Sequence, residues 1–419
     1  MSPSHASAQP RVVIVGAGFG GLACAKELGG APVRVTLIDR RNYHLFVPLL
    51  YQVATAALSP ADIARPIRRI VGKHRNIEVV LGEVTGIDTA AHVVRTADGG
   101  TIAYDRLVIA TGSEYSYFAH PEWARFAPGP HTLEDARAIR ARLLTAFERA
   151  EISVDPAEQD ALMTIVVVGG GPTGVEMAGS VAELARHALA RDFRRIDPRR
   201  ARILLIEAGP RILPAFPASL SDYARAAITQ LGVTVMTDQP VDAVDACGVM
   251  IGAKRIAAAT VIWGAGIKAS PAGQWLAIEL DRAGRIPVGP DLSVLGVPDV
   301  YALGDMALAQ AEGGAPLPAL AQVAKQQGQH LGRALVANLR DGRAMPAFRF
   351  RNRGNTAIIG RHAAVFDFGW MQLKGRIAWV LWAIIHIALL VGFDNRLRVT
   401  LQWLWRYVTY ERGARLILS

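Results

Sequence analysis

Two glycine triplets with one spacing stand far apart in the chain. Gly16, Gly18 and Gly21 lie in VVIVGAGFGGLACAKEL, and Gly169, Gly171 and Gly174 lie in TIVVVGGGPTGVEMAGSVAEL. In both, β-branched residues come first and a helix-like stretch follows. The chemistry such a pattern serves is the holding of a pyrophosphate. The first glycine makes a tight turn, the second lets backbone N–H groups approach the phosphates, and the third lets a helix pack close to a strand. The helix N-terminus then stabilises the anion. Phe19 in the first loop, and Pro172 and Thr173 in the second, fill the variable positions.

An acid follows each triplet at the predicted end of the next strand. Asp39 closes VRVTLID and is followed by Arg40; Glu207 closes ARILLIE. A carboxylate there accepts hydrogen bonds from ribose hydroxyls and repels a 2′-phosphate, so Glu207 favours NADH over NADPH. The basic stretch RHALARDFRRIDPRR makes the route from Gly174 to Glu207 unusually long. Two dinucleotide sites in one chain call for different occupants. A hydride donor beside a redox-active nucleotide is the economical pairing, with non-covalent FAD in the first site and NADH as substrate in the second. LVIATGS, carrying Thr111 and Gly112, suits the return crossing of such a flavoprotein. VYALGDMA places Gly304 and Asp305 where a carboxylate meets ribityl hydroxyls.

These motifs need strands and helices to hold them. The chain of 419 residues is long enough for two or three domains. The fold class expected is α/β, with two Rossmann-like dinucleotide-binding domains and a C-terminal amphipathic-helix segment that anchors to a membrane. The expected division is 1–120 and 286–345 for the FAD-binding domain, 121–160 for a linker, 161–285 for the NADH-binding domain and 346–419 for the membrane segment. Thr132 and Asp135 are placed to cap a helix through LEDARAIRARLLTAFERAE, and another helix is expected through LAQVAKQQGQHLGRALVANL.

Composition narrows the partners. Only Cys24 and Cys247 occur, with no CxxC pair, so a dithiol centre and a metal site are not expected. The polar opening MSPSHASAQP does not resemble a signal peptide. Net charge is +10, and from Arg340 onward 13 Lys and Arg face 4 Asp and Glu, so most of it sits in the last fifth. Five of the eight tryptophans (Trp370, Trp379, Trp382, Trp403 and Trp405) share that region. Cations beside Trp and long aliphatic runs suit a lipid surface and not nucleic acid. As a helix, residues 377–393 would extend about 25 Å, short of the roughly 30 Å hydrocarbon core. In the next stretch a helix would align Arg398, Gln402, Arg406 and Thr409 on a polar stripe and Leu397, Leu401, Leu404 and Val408 on an apolar one. Lying in the interface therefore fits better than crossing it, with Arg396, Arg412 and Arg415 reaching phosphates. Ending the chain before Trp370 is expected to release it from membranes.

Over nearly its whole length the chain resembles the type II NADH dehydrogenases, single-subunit flavoproteins that pass electrons from NADH to membrane quinone without pumping protons. DRRNYHLFVPLLYQVATAALSPADIARPIR resembles that family's flavin-side loop, DFRRIDPRRARILLIEAGPRILPAF its nicotinamide-domain insert, and FDNRLRVTLQWLWRYVTYERGARLI its membrane segment. The resemblance implies a quinone site at Gln322, Lys325 and Gln326 in AQVAKQQG, a glutamate near flavin and substrates at Glu176, and a flavin border at Tyr51 and Gln52. It implies a second nicotinamide-side loop at Gly264, Ala265 and Gly266. It also implies a monotopic enzyme on the cytoplasmic face of the plasma membrane. Val47, Met306 and Lys325 depart from the commoner pattern. Ubiquinone or menaquinone, and monomer or homodimer, stay open. Rival readings are a disulfide or sulfide oxidoreductase, which lacks its cysteine pair here, a reductase of ferredoxin or rubredoxin, and a membrane-docked nucleotide sensor with negligible turnover.

Overall fold

A computed structural model describes residues 9–390, 396–403 and 415–417. They fall into two compact units. The first takes residues up to 45, 64–114 and 267–352; the second takes 46–63, 115–266 and 353 onward.

The first unit is built on a five-stranded parallel sheet. Its strands, in spatial order, are Val300–Ala302, Arg106–Ile109, Arg11–Val15, Arg34–Asp39 and Ile77–Leu81. Four of the five residues of Arg11–Val15 are buried, as a strand covered on both faces requires. Helix Phe19–Leu28 packs against the long helix Ala321–Asp341. A Cβ on Gly328 would run into the Gly20 carbonyl, so glycine sets how close these helices come. Residues 346–352 run with this unit.

The second unit repeats the design. Its parallel sheet orders Val233–Met236, Arg202–Ile206, Thr164–Val168 and Thr260–Trp263. Helix Leu133–Ile152 begins at the expected capping box, with Thr132 Oγ1 accepting from Asp135 N at 3.0 Å and the Asp135 carboxylate accepting from Thr132 N at 2.9 Å. The long route to Glu207 is taken up by a π-helical turn, Leu184–Ala188, and two short 3-10 turns, Leu189–Arg191 and Pro198–Arg200. Glu151 holds this insert by accepting the N–H groups of Arg194, Arg195 and Ile196 at 3.0–3.1 Å.

The basic, apolar stretch beyond 353 is more than a tail. Strands Asn355–Gly360, Ala363–Asp367 and Gln372–Gly375 form an antiparallel sheet that packs on helices Pro172–Glu183 and Ala218–Gln230. The apolar helix that follows, Arg376–Leu389, is shorter than the expected 377–393 and ends where Leu390 turns to ψ 138°. Among the described residues no helix is long and apolar enough to cross a membrane. Ala378, Trp382 and His386 are buried on one side of this helix, while Ile377, Val380 and Ile384 are exposed on another. The helical stretch 396–403 leaves Leu397 and Leu401 exposed. Arg415, expected to reach lipid phosphates, instead pairs with Asp192 and donates to the Ala188 carbonyl. Leu404, Trp405, Arg406, Val408, Thr409 and Arg412 lie outside the described residues.

Candidate dinucleotide and acceptor sites

The two fingerprints fold alike. Gly16 has φ +100° and Gly169 φ +103°, a region open to glycine at little cost. The Gly16 N–H donates to Ile38 O at 2.8 Å and the Gly169 N–H to Ile206 O at 2.7 Å, so each loop is stitched to the neighbouring strand. A Cβ on Gly21 would run into the Gly16 carbonyl, and one on Gly174 into that of Gly169. Such close approach is why the third position of each triplet must be glycine.

The second position behaves differently. A Cβ on Gly18 or Gly171 would meet nothing within 4 Å. Each is also the N-cap of its helix, with no side chain capping the first N–H groups. Open space in front of uncapped helical donors is what an incoming pyrophosphate needs. The residues thus fit a dinucleotide in both units.

The acids match as well. Asp39 accepts from Ala17 N at 2.7 Å and Arg41 N at 2.8 Å. Glu207 accepts from Gly170 N at 2.5 Å and Gly209 N at 2.7 Å. Each carboxylate therefore ties the glycine loop to the turn after its own strand, and stands beside that loop. Arg40 follows Asp39 in that turn. The return crossings repeat too. Gly16 lies so close to Ala110 and Thr111 that a Cβ would overlap them, and Gly169 lies likewise against Gly264 and Ala265. Gly112 at φ +73° and Gly266 at φ +74° then turn the chain away in the same manner.

Asp305 sits in the 3-10 turn Gly304–Met306 of the first unit and accepts from Ser113 Oγ at 2.6 Å. Met306 is fully buried beside Ser270, and Val47 is exposed. Gln327, which the sequence reading passed over, is also fully buried; its Oε1 accepts from Gly304 N at 2.6 Å. Its Nε2 has no partner among the described residues. An orphaned buried donor beside this turn is a further fit to a bound nucleotide. One sequence signal pointed there: Gln327 lies on the buried stripe of its helix with Val323 and Leu331.

Gln322, Lys325 and Gln326 share this helix and are half-buried. Gln326 is engaged with backbone: its Nε2 donates to Arg351 O at 3.0 Å and its Oε1 accepts from Arg351 N at 3.1 Å.

The second unit gathers Glu176, Tyr51 and Gln52 around helix Pro172–Glu183. Glu176 is half-buried and enclosed by protein on its other sides. Burial pushes its carboxyl up to about 8, opposed by one long hydrogen bond of 3.4 Å from Ile358 N. A Cβ on Gly179 would run into the Ile359 carbonyl, so that glycine lets strand Asn355–Gly360 lie close enough to enclose Glu176. One turn beyond Glu176, Ser180 Oγ shares a 2.6 Å hydrogen bond with Thr55 Oγ1, which donates to Tyr51 O at 2.9 Å. Gln52 Nε2 donates to Tyr51 Oη at 2.9 Å, and both side chains are buried.

The chain matches the pyridine nucleotide-disulphide oxidoreductase family over residues 10–328. It is 42% identical to the type II NADH:quinone oxidoreductase Ndh of Mycobacterium tuberculosis, covering 99% of this chain and 92% of that protein. It is 30% identical to the type II NADH:quinone oxidoreductase of Staphylococcus haemolyticus, over 85% and 89% of the two chains. Its fold matches the solved structure of NDH2 from Plasmodium falciparum in complex with NADH, at a TM-score of 0.88 and 22% identity, covering 98% and 100%. Both cysteines, buried Cys24 and exposed Cys247, are free, so the family's disulphide chemistry has no pair here. With a family match over residues 10–328 and a full-length likeness, this chain belongs to the pyridine nucleotide-disulphide oxidoreductases and, within them, to the type II NADH:quinone oxidoreductases.

Proposed function

We propose that the protein oxidises NADH and passes the electrons through non-covalent FAD to a membrane quinone without pumping protons. The observation that carries this reading is the pair of matched cradles, each with an open second glycine and an acid beside it. The first cradle, with Gly16, Gly18, Phe19, Gly21, Asp39, Arg40, Thr111, Gly112, Gly304 and Asp305, holds FAD. The second, with Gly169, Gly171, Pro172, Thr173, Gly174, Glu207, Gly264, Ala265 and Gly266, holds NADH. Bound in the first cradle, FAD supplies a two-electron carrier that takes electrons from the nicotinamide and yields them to the acceptor. The chain's own work is positioning, which brings substrates into register without a side-chain base. Glu176 is the exception. Reducing a quinone consumes two protons, and a carboxyl with a pKa near 8 stays protonated at neutral pH, ready to donate to an acceptor oxygen. Tyr51 and Gln52 border the flavin, and Gln322, Lys325 and Gln326 lie at the quinone.

An anaerobic titration tests the reading. One equivalent of NADH should bleach the flavin band near 450 nm, as flavins generally do, and a short-chain quinone should restore it. Bleaching without return would remove quinone as acceptor and favour a protein acceptor; no bleaching would leave a nucleotide sensor.

The C-terminal segment is proposed to lie on the lipid surface at the cytoplasmic face. The excess of cations after Arg340 and the exposed Ile377, Val380 and Ile384 on one helix face support this. Ending the chain before Trp370 is a poor test, because it deletes strand Gln372–Gly375 from a sheet that packs on the Glu176 helix. The double variant Ile377→Glu/Ile384→Glu leaves that sheet whole. It should lower the partition coefficient onto anionic vesicles by at least about 100-fold, since each of the two buried aliphatic side chains contributes roughly 1.5–3 kcal/mol. Flavin content should hold. Unchanged sedimentation would remove this face from the bilayer contact.

A further inference from the structure

We infer that Trp403, on the C-terminal segment, is a positioning residue for the acceptor site, acting through Gln52 on Tyr51. The inference rests on the proposed reading that a quinone is reduced in the neighbourhood of Glu176.

Trp403 does not behave as a lipid-facing residue. Leu397 and Leu401 on its own helical stretch are 52% and 58% exposed, whereas Trp403 is half-buried. Its ring stacks on Trp382, centroids 5.3 Å apart and planes 18° from parallel. Trp382 in turn stacks on His386 at 4.3 Å, and His386 Nδ1 is bonded to Trp382 O at 2.8 Å. The ring is thereby held from the apolar helix Arg376–Leu389, and its indole N–H donates to Gln52 Oε1 at 3.1 Å. Next to it, Gln402 Nε2 makes a long contact of 3.3 Å with the buried carboxylate of Asp62. Two adjacent residues of the C-terminal segment thus reach the 46–63 segment that carries Tyr51.

The chemistry of the indole gives this contact a direction. A primary amide can present either end to a neighbour, and the two orientations are nearly the same shape. An indole N–H can only donate. It therefore fixes the carbonyl end of Gln52 toward Trp403 and the NH2 end toward Tyr51, where Nε2 donates to Oη. A phenol oxygen that accepts from Gln52 directs its own hydrogen away from that amide. Turning Gln52 over would set its carbonyl against Tyr51 and call the phenol hydrogen back to it. One donor-only group on the C-terminal segment thus decides which way a phenol in the candidate site donates. The ligand this suits is a ring carbonyl, which accepts hydrogen bonds and donates none.

The arrangement connects to Glu176 through backbone and hydroxyls. Tyr51 and Gln52 lie on helix Leu50–Ala54, which packs on helix Pro172–Glu183. Thr55 and Ser180 pin the two together one turn from Glu176. The segment that docks on lipid accordingly also sets hydrogen-bond polarity beside the proton donor.

The test uses full-length, FAD-loaded protein in mild detergent, with a short-chain quinone at saturating NADH. Trp403→Phe keeps an aromatic ring to stack on Trp382 and removes the N–H together with part of the indole. It should raise the quinone KM about three- to ten-fold, the range of one neutral hydrogen bond, and leave kcat within about two-fold. Gln52→Leu should also raise the quinone KM, and the double variant should raise it no further than the worse single, because both break one chain of bonds. Sedimentation of Trp403→Phe with vesicles should match the wild type. An unchanged quinone KM in Trp403→Phe, or effects of the two variants that multiply, would overturn the inference. So would a loss of kcat, flavin and vesicle binding together, which marks Trp403 as packing alone. A wild type that reduces no quinone would instead overturn the reading beneath it.

Discussion

Replacing Glu176 with Gln should cut kcat for quinone reduction by about 100-fold, the lower end of what a positioned acid contributes. Ferricyanide, which takes electrons without protons, should lose far less. The carboxyl is held at about 8 by burial, so it is protonated at neutral pH and ionises above it. Wild-type quinone turnover should therefore fall as pH rises through about 8, and this limb should be missing in Glu176→Gln. Stability carries a second signature of the same group. Below pH 4.5 the carboxyl is protonated whether the chain is folded or not, and nothing is lost. Between 4.5 and about 8 only the unfolded chain ionises, so the folded state loses ground as pH rises. Glu176→Gln should remove that slope and gain roughly 1–2 kcal/mol at pH 8, once the solvent contact of a half-buried group is allowed for. Melting curves at pH 5 and pH 8 check this. Equal pH slopes in both proteins, with quinone kcat unchanged, would show a carboxylate ionised at neutral pH and no proton donor.

The two glycine loops were legible because their geometry leaves few residue choices. Only glycine tolerates φ near +100° at Gly16 and Gly169, and only glycine fits against the carbonyl at Gly21 and Gly174. The paired acids were legible at strand ends, although nothing in their spacing showed that each also ties its own loop with two N–H acceptances. Thr132 and Asp135 announced a capping box through side-chain type alone, and it formed.

What stayed hidden was set by long-range packing. Gln322 and Gln326 drew notice through the family resemblance of AQVAKQQG, yet Gln327 is the one buried against Gly304, because the inner stripe of that helix runs through Val323, Gln327 and Leu331. Hydropathy beyond residue 346 reads alike for a strand packed on protein and a helix facing lipid. The sheet from Asn355 to Gly375 was therefore merged with the tail. Trp403 is a sharper case. Its place among the C-terminal tryptophans and cations suggested a ring at the lipid surface, and only the stack on Trp382 and the bond to Gln52 reveal it turned inward.

Coenzyme choice should reverse at Glu207. The carboxylate stands beside the second glycine loop, bonded to Gly170 N and Gly209 N, with the loop's open glycine, Gly171, next in the chain. A carboxylate there accepts from ribose hydroxyls and repels a 2′-phosphate, so two effects favour NADH together. Glu207→Arg removes the acceptor and sets a cation against the phosphate. The ratio of kcat/KM for NADH over NADPH should fall by at least about 100-fold, since a site built to hydrogen-bond a hydroxyl discriminates far more strongly than an apolar one. Part of the loss with NADH has another origin, because two backbone N–H groups lose their partner and the loop loosens. Glu207→Gln separates the two effects. It keeps one carbonyl acceptor, lacks the charge, and should raise KM for NADH with a smaller change in preference. Asp39 is untouched in both variants, so FAD content should hold and marks an intact first cradle. A preference that stays the same in Glu207→Arg, with flavin retained, would mean that Glu207 only braces its loop and that the ribose is read elsewhere.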